Sequence, residues 1–240
     1  MGYVDFHTHV LPKVDDGSDS VEKSYNMLKK MADEGTEVVF ATPHCLLSRE
    51  EEKSFIDRRA AAFENLKAYL EEIGDFDIPE IRLGAEIRVN REMKPFENPE
   101  LLALQGTDMI MFELPYSDFQ PAYTENIYNL SLKANLTPVI AHVERYLSIY
   151  DDDDYSELFS IPNVICQISA DFMENKKTAK FVAGLIEEDF PLVFGSDCHN
   201  MTSRPPDMIE IDKKRKKFCS KYKIPEYIMD ELFEFHKRLI

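Results

Sequence analysis

A chain of 240 residues is long enough to bury a hydrophobic core within one large domain, and its 44% hydrophobic and 30% charged residues are typical of a globular protein rather than a disordered or fibrous one. The formal net charge of -17 disfavours nucleic acid or an anionic membrane as a partner, because both bind basic surfaces. No apolar run approaches the length of a membrane span and the first residues lack the pattern of a signal peptide, so we expect a cytoplasmic protein without a membrane span.

Seven short runs of apolar and β-branched residues recur along the chain and predict β-strands. In chain order they are YVDF, EVVFAT, IRLGAEI, DMIMFEL, TPVIAH, NVICQIS and PLVFGS. Segments with the apolar spacing of amphipathic helices lie between them. For the first of these helices, Asp19 with Glu22 three residues later is a start signal, and Gly35 is a stop signal.

The alternation of apolar strands with amphipathic helices predicts an α/β fold in which helices cover a parallel sheet. Seven strand and helix units favour a closed or nearly closed barrel. No internal repeat, low-complexity tract or Gly/Ser-rich linker divides the sequence, so we expect residues 1–240 to form a single domain. In parallel barrels the active site lies at the C-terminal ends of the strands.

Side chains that bind metal ions are concentrated at the predicted C-terminal ends of the strands. Five of the six histidines lie at or just past such an end, namely His7, His9, His44, His142 and His199. The carboxylates at equivalent positions are Asp16, Glu86, Glu113 and Asp197. Because the C-terminal ends of parallel barrel strands meet at one rim, we expect all of these side chains to converge there.

The His7-Thr8-His9 motif is the most local indication of a metal site. The two-residue period of a strand directs both imidazoles to the same side, where they can bind one ion. The full set of ligands exceeds what one tetrahedral ion uses, so we expect more than one ion. Mixed imidazole and carboxylate ligands suit Zn, Fe or Mn, and the sequence does not distinguish among these metals.

These motifs resemble those of the PHP (polymerase and histidinol phosphatase) domain. They are most similar to those of the bacterial manganese-dependent protein-tyrosine phosphatases encoded with capsule and exopolysaccharide genes. The segments that carry the resemblance are DFHTHVLPKVDDG, ATPH, LGAEI, FELP, TPVIAHVERY and GSDCHNMTSRPP, which span most of residues 3–208. The resemblance implies a PHP-type distorted (β/α)7 TIM-like barrel and a metal-dependent phosphomonoesterase that acts on protein phosphotyrosine.

The resemblance also implies three divalent metal ions, with Mn2+ expected and Fe or Zn as other candidates. The implied ligand sets are His7, His9, Glu86 and Asp197 for one ion, Glu86, Glu113 and His142 for a second, and Asp16, His44 and His199 for a third. Asp16 and Glu113 stand where many other PHP proteins have histidines, which indicates the tyrosine-phosphatase branch. Arg145 in HVER and Arg204 in SRPP match the arginines that contact phosphate in this family.

The implied chemistry is in-line attack on phosphorus by a hydroxide that bridges the metal ions, while the arginines stabilise charge on the phosphate oxygens. Three divalent ions and four carboxylates leave a local charge of about +2 before the arginines are counted, so the pocket attracts a phosphate dianion although the chain is acidic. The family further implies a membrane-associated tyrosine kinase as the partner. The oligomeric state is left open.

Other interpretations of the same residues remain open at the level of sequence. A PHP phosphatase for a small molecule such as histidinol phosphate would have a similar metal centre, and a catalytically silent metal-binding module would keep the same ligands. An amidohydrolase also begins with HxH on a barrel, but Glu86 and HVER fit the phosphatase better.

Cys198 and Arg204 also match the C-x5-R pattern of cysteine-dependent tyrosine phosphatases. That loop binds phosphate through backbone amides and usually contains glycine. Here the segment CHNMTSR has no glycine, and Pro205 and Pro206, which lack amide protons, follow it. We therefore favour the metal mechanism. The four cysteines lie far apart without a CxxC pair, which predicts reduced thiols.

Three remaining features receive simple interpretations. Tyr116 and Phe119, in the aromatic segment after Glu113, can flank a phenyl ring or can serve local packing, and the sequence supports both equally. The acidic segment DDDDY, residues 151–155, lacks the glycine and glutamate of an EF-hand and is interpreted as a solvated loop. His236 lies in the last helical stripe, away from any strand end, and is interpreted as structural.

Overall fold

The computed structural model describes residues 2–240 and has an α/β fold. The strands, in chain order, are β1 (Tyr3–Thr8), β2 (Thr36–Ala41), β3 (His44–Cys45), β4 (Glu80–Leu83), β5 (Glu86–Arg88), β6 (Met109–Glu113), β7 (Thr137–Ile140), β8 (Ile165–Ser169) and β9 (Leu192–Gly195). The helices are α1 (Val21–Asp33), α2 (Glu52–Ile73), α3 (Pro99–Leu102), α4 (Pro121–Ala134), α5 (Asp152–Phe159), α6 (Lys176–Glu187), α7 (Met208–Tyr222) and α8 (Glu226–Arg238). A 3-10 helix, Val143–Ser148, follows β7.

The strands of the described residues form two sheets in which the neighbouring strands run parallel. One sheet has three strands in the order β1-β2-β4, and the other has six in the order β3-β5-β6-β7-β8-β9. The prediction of an α/β fold with parallel sheets is therefore confirmed. Parallel pairing brings the C-terminal ends of neighbouring strands to the same edge of each sheet, which is where the metal-ligating residues were expected.

The number of strands differs from the seven predicted because a short additional strand follows the run EVVFAT and because the run IRLGAEI is interrupted. β2 ends at Ala41, and the short β3 follows after Thr42-Pro43; the run IRLGAEI is divided into β4 and β5 by Gly84-Ala85. Pro43 has no N–H to donate to a ladder. A Cβ on Gly84 would lie 2.6 Å from the Cδ2 atom of the buried Leu104, so this close approach requires glycine.

The two sheets meet between β1 and β9. The backbone N–H of Asp197 donates to His7 O at 2.8 Å, and that of His9 donates to Cys198 O at 2.9 Å. An isolated bridge pairs Thr8 with Cys198. Asp197 has a φ of 52°, so the chain turns just past β9 and regular pairing does not extend. The ladders of residues 2–240 thus form two sheets and do not confirm the predicted closed (β/α)7 barrel.

Both faces of the strands are covered by apolar side chains. In β6, Ile110 and Phe112 belong to one buried cluster, whereas Met109 and Met111 belong to a second. The two-residue period of the strand separates the two pairs, as expected when helices cover a parallel sheet. Within residues 2–240, no helix combines the length and the apolar character that a bilayer span requires.

The first helix begins close to its predicted start. Ser20, rather than the predicted Asp19, is the N-cap of α1, and its hydroxyl accepts a hydrogen bond from Lys23 N at 3.3 Å. Gly35 follows the helix with a φ of 90°, as predicted for a stop signal.

Candidate metal centre

The structure brings all nine predicted ligand residues to one region, which lies beside the C-terminal ends of β1, β6, β7 and β9 and includes the first residues of β3 and β5. His7 lies on β1, His44 on β3, Glu86 on β5 and Glu113 on β6, and the remaining five lie in the loops that follow a strand. Each ligand residue is in direct contact with another member of the set. The convergence predicted from strand-end positions therefore occurs.

The most buried part of the centre contains His7, His9, Glu86 and Asp197. The Nε2 atom of His7 lies 3.3 Å from Glu86 Oε2 and 3.4 Å from Asp197 Oδ1. The Nε2 atom of His9 lies 3.4 Å from Glu86 Oε2 and 3.2 Å from Asp197 Oδ1. The two Nε2 atoms are 3.2 Å apart. These four atoms form a compact group suited to one cation.

A second group surrounds Asp16, near the solvent side of the centre. The Oδ1 atom of Asp16 lies 3.4 Å from His44 Nε2 and 3.5 Å from His199 Nε2. The imidazoles of His9 and His199 are also close, with ring centroids 3.8 Å apart. His9, Asp16, His44 and His199 can together hold one ion. His9 thus belongs to two groups, whereas the resemblance had assigned it to one.

The third group is built around Glu86. Its Oε1 atom lies 3.0 Å from His142 Nε2, while its Oε2 atom lies 2.7 Å from His44 Nδ1. Glu113 is more distant, since its oxygens lie 4.0 Å from His142 Nε2 and 3.9 Å from His44 Nδ1. The two oxygens of Glu86 therefore face different histidines, as a bridging carboxylate requires.

The hydrogen bonding of the carboxylates fits a bound cation. Glu86 Oε2 and Asp197 Oδ1 are buried and have no hydrogen-bond partner among the described residues, although each lies within 3.5 Å of imidazole nitrogens. A buried carboxylate oxygen without a donor is costly, and a cation removes that cost. Two imidazoles and two free carboxylate oxygens are also a suitable donor set for Zn, Fe or Mn. The residues thus fit the metal ions that the motifs imply.

Interactions between charged groups in the centre shift the pKa values of the predicted ligand residues, so metal binding is coupled to their protonation. Burial opposes charge on His7, but the carboxylates of Glu86 and Asp197 outweigh it and raise its pKa. Burial likewise opposes ionisation of Glu86, but the neighbouring imidazoles hold the pKa of that carboxyl well below its usual range. Because a metal ligand must be deprotonated, an ion that binds here displaces protons from the imidazoles.

Residues behind the ligands, not singled out from the sequence, fix the orientation of two imidazoles. Gln167 Oε1 lies 2.8 Å from His7 Nδ1 and accepts the backbone N–H of His142 at 2.8 Å. Asp15 Oδ2 lies 2.6 Å from His9 Nδ1 and accepts the N–H of His44 at 2.9 Å. Each contact leaves Nε2 of the imidazole free for metal. The polar Gln167 within an apolar strand was the available sequence signal.

The two predicted arginines lie beside this centre. Arg145 Nη1 and Arg204 Nη2 both donate to Asp197 Oδ2, and Arg204 Nη1 lies 2.9 Å from His199 Nε2. A third arginine was missed at the sequence level: Arg88 Nη1 lies 2.6 Å from Glu113 Oε1. Positive side chains therefore border the acidic part of the centre.

A cavity of about 190 Å³ opens onto the centre. The cavity is lined by predicted ligand residues, by both arginines and by apolar side chains. The lining residues are His44, Glu86, Glu113, Leu114, Tyr116, His142, Arg145, Tyr146 and Arg204. The two aromatic residues considered in the segment after Glu113, Tyr116 and Phe119, therefore have different surroundings. Tyr116 lines the cavity, whereas Phe119 packs edge-on against Tyr123 and Tyr150, with ring centroids 6.1 and 5.2 Å apart.

The loop from Cys198 to Arg204 is not arranged as a phosphate-binding C-x5-R loop. The side-chain oxygen of Asn200 accepts the backbone N–H groups of Thr202, Ser203 and Arg204 at 2.9, 2.8 and 3.3 Å. Amides used in this way are not free for phosphate. Cys198 is fully buried, and burial raises the pKa of its thiol. Geometry thus supports the preference for the metal mechanism.

Parallel sheets with imidazoles and carboxylates gathered at their C-terminal strand ends define a class of α/β proteins equipped to bind metal ions. Within this class, the family described as capsular polysaccharide synthesis, CpsB/CapC, has a model that matches residues 3–233. The chain belongs to this family. The family resemblance predicted from the motifs is therefore confirmed.

Three relatives in this family are similar over most of the chain. The tyrosine-protein phosphatase YwqE of Bacillus subtilis is 30% identical over 206 residues, which cover 84% of this chain and 79% of YwqE. The putative tyrosine-protein phosphatase CapC of Staphylococcus aureus is 28% identical, over 89% of this chain and 83% of CapC. The tyrosine-protein phosphatase CpsB of Streptococcus pneumoniae is 27% identical, over 95% of each chain.

The fold is also similar to solved structures. A structure from the study of B. subtilis YwqE and S. pneumoniae CpsB, described as unique metal-dependent tyrosine phosphatases, has a TM-score of 0.74 and 25% identity. The match covers 96% of this chain and 92% of that chain. A lactonase from Listeria monocytogenes, with a TM-score of 0.53 and 14% identity over 92% of this chain and 88% of that chain, shares the fold alone.

Proposed function

We propose that this protein is a metal-dependent phosphomonoesterase that hydrolyses phosphotyrosine in proteins. The observation that carries the proposal is the joint presence, at one cavity, of Glu86, whose buried Oε2 atom has no hydrogen-bond donor among the described residues, and of two arginines. The first feature fits divalent cations, and the second fits the oxygens of a phosphate. The names of the relatives in the CpsB/CapC family agree with this activity.

The ligand sets proposed for three divalent ions follow the three groups of side chains. His7, His9, Glu86 and Asp197 hold one ion, Glu86, Glu113 and His142 a second, and Asp16, His44 and His199 a third. Mn2+ is the proposed metal, with Fe or Zn as alternatives. When bound, such ions supply positive charge that polarises a phosphoryl group and lowers the pKa of water toward neutrality.

The side chains of this chain position the phosphate and balance its charge. Arg145 and Arg204 approach the cavity from the same side and contact the non-bridging oxygens of the phosphate. Glu86, at the centre of the ligand groups, fixes their relative positions. A tyrosine leaves as a phenolate with a pKa of about 10, so its departure needs less protonation than that of a serine alkoxide. The site therefore suits an aryl phosphate without a dedicated acid.

We also infer that residues 1–240 form a single domain with a distorted seven-stranded barrel, although Met1 lies outside the described residues. Two residues separate β2 from β3, and two separate β4 from β5, so each pair can act as one bent strand. The hydrogen bonds between β1 and the segment after β9 support closure of the ring. An experimental structure with metal bound would test this arrangement directly.

The biological setting is proposed from the family. A membrane-associated tyrosine kinase of the capsule or exopolysaccharide system is the proposed partner, since the family is described by capsular polysaccharide synthesis. We place the protein in the cytoplasm, where its four free, buried cysteines would stay reduced.

The decisive experiment removes bound metal with a chelator, restores Mn2+, Fe2+ or Zn2+ singly, and measures hydrolysis of p-nitrophenyl phosphate, a phosphotyrosine peptide and histidinol phosphate. We expect no turnover without metal, and a kcat/KM for the phosphotyrosine peptide well above that for histidinol phosphate. The reverse preference would establish the small-molecule phosphatase instead. Stoichiometric metal binding without hydrolysis of any phosphoester would establish the silent metal-binding module.

A further inference from the structure

Tyr116 differs from the other aromatic residues around the centre in its exposure. It follows β6 by three residues and lines the same cavity as Arg145 and Arg204. Its side chain is 63% exposed, whereas Tyr146 on the same side of the cavity is 1% exposed. An aromatic ring that stays in water beside a polar cavity leaves apolar area available for a ligand.

The position of the Tyr116 ring is fixed by hydrogen bonds rather than by burial. Its hydroxyl lies 2.9 Å from Ser148 Oγ, and Ser148 ends the 3-10 helix that carries Arg145. Two further hydrogen bonds hold the loop that carries Tyr116: Leu114 N donates to Tyr146 Oη at 3.0 Å, and Tyr150 Oη donates to Pro115 O at 3.1 Å. The ring is therefore presented to the cavity at a set distance from the arginine.

The packing of this loop does not depend on Tyr116. Phe119 contributes the aromatic contacts that anchor the segment, against Tyr123 and Tyr150. The centroid of the Tyr116 ring is 6.5 Å from that of Tyr146 at an interplanar angle of 43°, which is a loose contact. Local packing therefore explains Phe119 and leaves Tyr116 for another role.

We infer that Tyr116 is a specificity-determining residue whose ring packs against the aromatic ring of an aryl phosphate bound at this cavity. The inference rests on the proposed function, which puts the phosphate at Arg145 and Arg204. The cavity has a charged side formed by the arginines and an apolar side formed by Leu114, Tyr116 and Tyr146. A ligand that carries an anionic head on an aromatic ring matches both sides, whereas an alkyl phosphate leaves the apolar side unfilled.

The test measures binding without turnover. Isothermal titration of the Mn2+-loaded protein compares phenylphosphonate with methylphosphonate, which share the anionic head and differ in the ring. For Tyr116→Ala we expect the Kd of phenylphosphonate to rise by about 3- to 10-fold, the range that an aromatic pair supplies, and the Kd of methylphosphonate to stay within about twofold. Tyr116→Phe keeps the ring and should retain most of the affinity.

Controls separate the ring contact from effects on the fold. Tyr227→Ala removes a tyrosine of similar exposure, 60%, from α8, and should bind both phosphonates as the wild type does. Ser148→Ala removes the partner of the Tyr116 hydroxyl and should weaken phenylphosphonate less than Tyr116→Ala. Melting temperatures of all variants establish that they are folded.

The possible results distinguish this inference from the proposed function. If Tyr116→Ala binds phenylphosphonate as tightly as the wild type, or loses both phosphonates equally, the ring contact is wrong while the phosphate site stands. If neither phosphonate binds the wild-type protein, the phosphate site is wrong and the ring contact is rejected with it.

Discussion

At the residue scale, one carboxylate contacts both the histidines proposed to bind metal and the two arginines proposed to bind phosphate. Asp197 directs Oδ1 toward His7 and His9, while its Oδ2 accepts from both Arg145 and Arg204. Burial opposes ionisation of Asp197, but His7, His9 and Arg145 hold the pKa of this carboxyl well below its usual range. Asp197 is thus ionised throughout the physiological range and orients both groups around the cavity.

Replacement of Arg145 tests the electrostatic role. Arg145→Ala should lower kcat/KM for a phosphotyrosine peptide by about 10²- to 10³-fold, the usual loss when one donor to a developing oxyanion is removed. Steady-state kinetics provides the measurement. Arg82→Ala is the matched control, because Arg82 pairs with Glu80 on β4, and it should leave kcat/KM unchanged. Equal activity of Arg145→Ala and the wild type would contradict the assignment.

Replacement of Gln167 tests whether the hydrogen bond that orients His7 contributes to metal binding. Gln167→Leu removes the acceptor that orients His7, so the affinity for Mn2+ should fall by about 10- to 100-fold. Chelator competition measures that affinity. Gln167→Glu keeps an acceptor oxygen and should lose less. An unchanged affinity in Gln167→Leu would mean that the imidazole of His7 is held by other contacts.

Cys198 separates the metal mechanism from the thiolate mechanism. Its side chain is fully buried, and the amides of the following loop are used by Asn200. Cys198→Ser should therefore keep the metal content and most of the kcat/KM of the wild type, because a metal-dependent mechanism does not use the thiol. Loss of turnover with normal metal content would favour the thiolate.

At the element scale, the acidic segment at residues 151–155 is a helix start rather than the predicted solvated loop. Asp151 is the N-cap of α5, and its side chain accepts the N–H groups of Asp153 and Asp154 at 3.0 Å. Asp154 reciprocates by accepting the N–H of Asp151 at 3.1 Å, which completes a capping box. Carboxylates near a helix N-terminus interact favourably with its dipole, so this run of like charges stabilises a helix.

The capping box makes a stability prediction. Asp151→Ala should lower the free energy of unfolding by about 0.5 to 2 kcal/mol, because the first turn of α5 loses a partner for two backbone donors. Urea denaturation of the metal-free protein gives the value. Asp152→Ala, which removes a charge from the same turn but no N-cap hydrogen bond, is the control and should cost less. Equal losses would show that charge, rather than capping, is responsible.

At the scale of the whole molecule, His236 of the last helix, α8, contacts residues of the strands. This residue was predicted to be structural. The ring of His236 is buried among Phe6, Phe194 and Phe233, and its Nε2 donates to Leu192 O at 3.1 Å. Burial lowers the pKa of His236 to about 4. The neutral imidazole therefore contributes to the attachment of α8 to β1 and β9.

This histidine gives the stability a defined pH dependence. Above about pH 6.5 the imidazole is neutral in both the folded and unfolded states, so its contribution is fully present. As the pH falls toward 4, the unfolded chain binds a proton that the folded chain excludes, and stability declines by up to about 3 kcal/mol. Urea denaturation of metal-free protein between pH 4 and 7 measures this decline. His236→Gln keeps a donor for Leu192 O without titrating, so its profile should be flatter; an identical slope would contradict this account.

The sequence by itself determined the family, the α/β class and the convergence of the nine ligand residues. The family follows from the resemblance of the motifs. The fold class and the convergence follow from the strand pattern, since a two-residue period fixes the side that His7 and His9 share, and parallel strands bring their C-terminal ends to one edge. The resemblance of HVER and SRPP to the motifs of the family also indicated Arg145 and Arg204, which the structure brings to the same cavity.

Only the tertiary structure decided which side chains the predicted site residues contact. His7 meets Gln167 across 160 residues of sequence, Arg88 reaches Glu113 from the adjacent strand, and His9 joins two ligand groups. Such contacts depend on the register of paired strands and on loop paths, which no local pattern contains. The same reason explains why Tyr116 and Phe119, equivalent in sequence, differ in the fold: burial depends on what packs against each ring from distant parts of the chain.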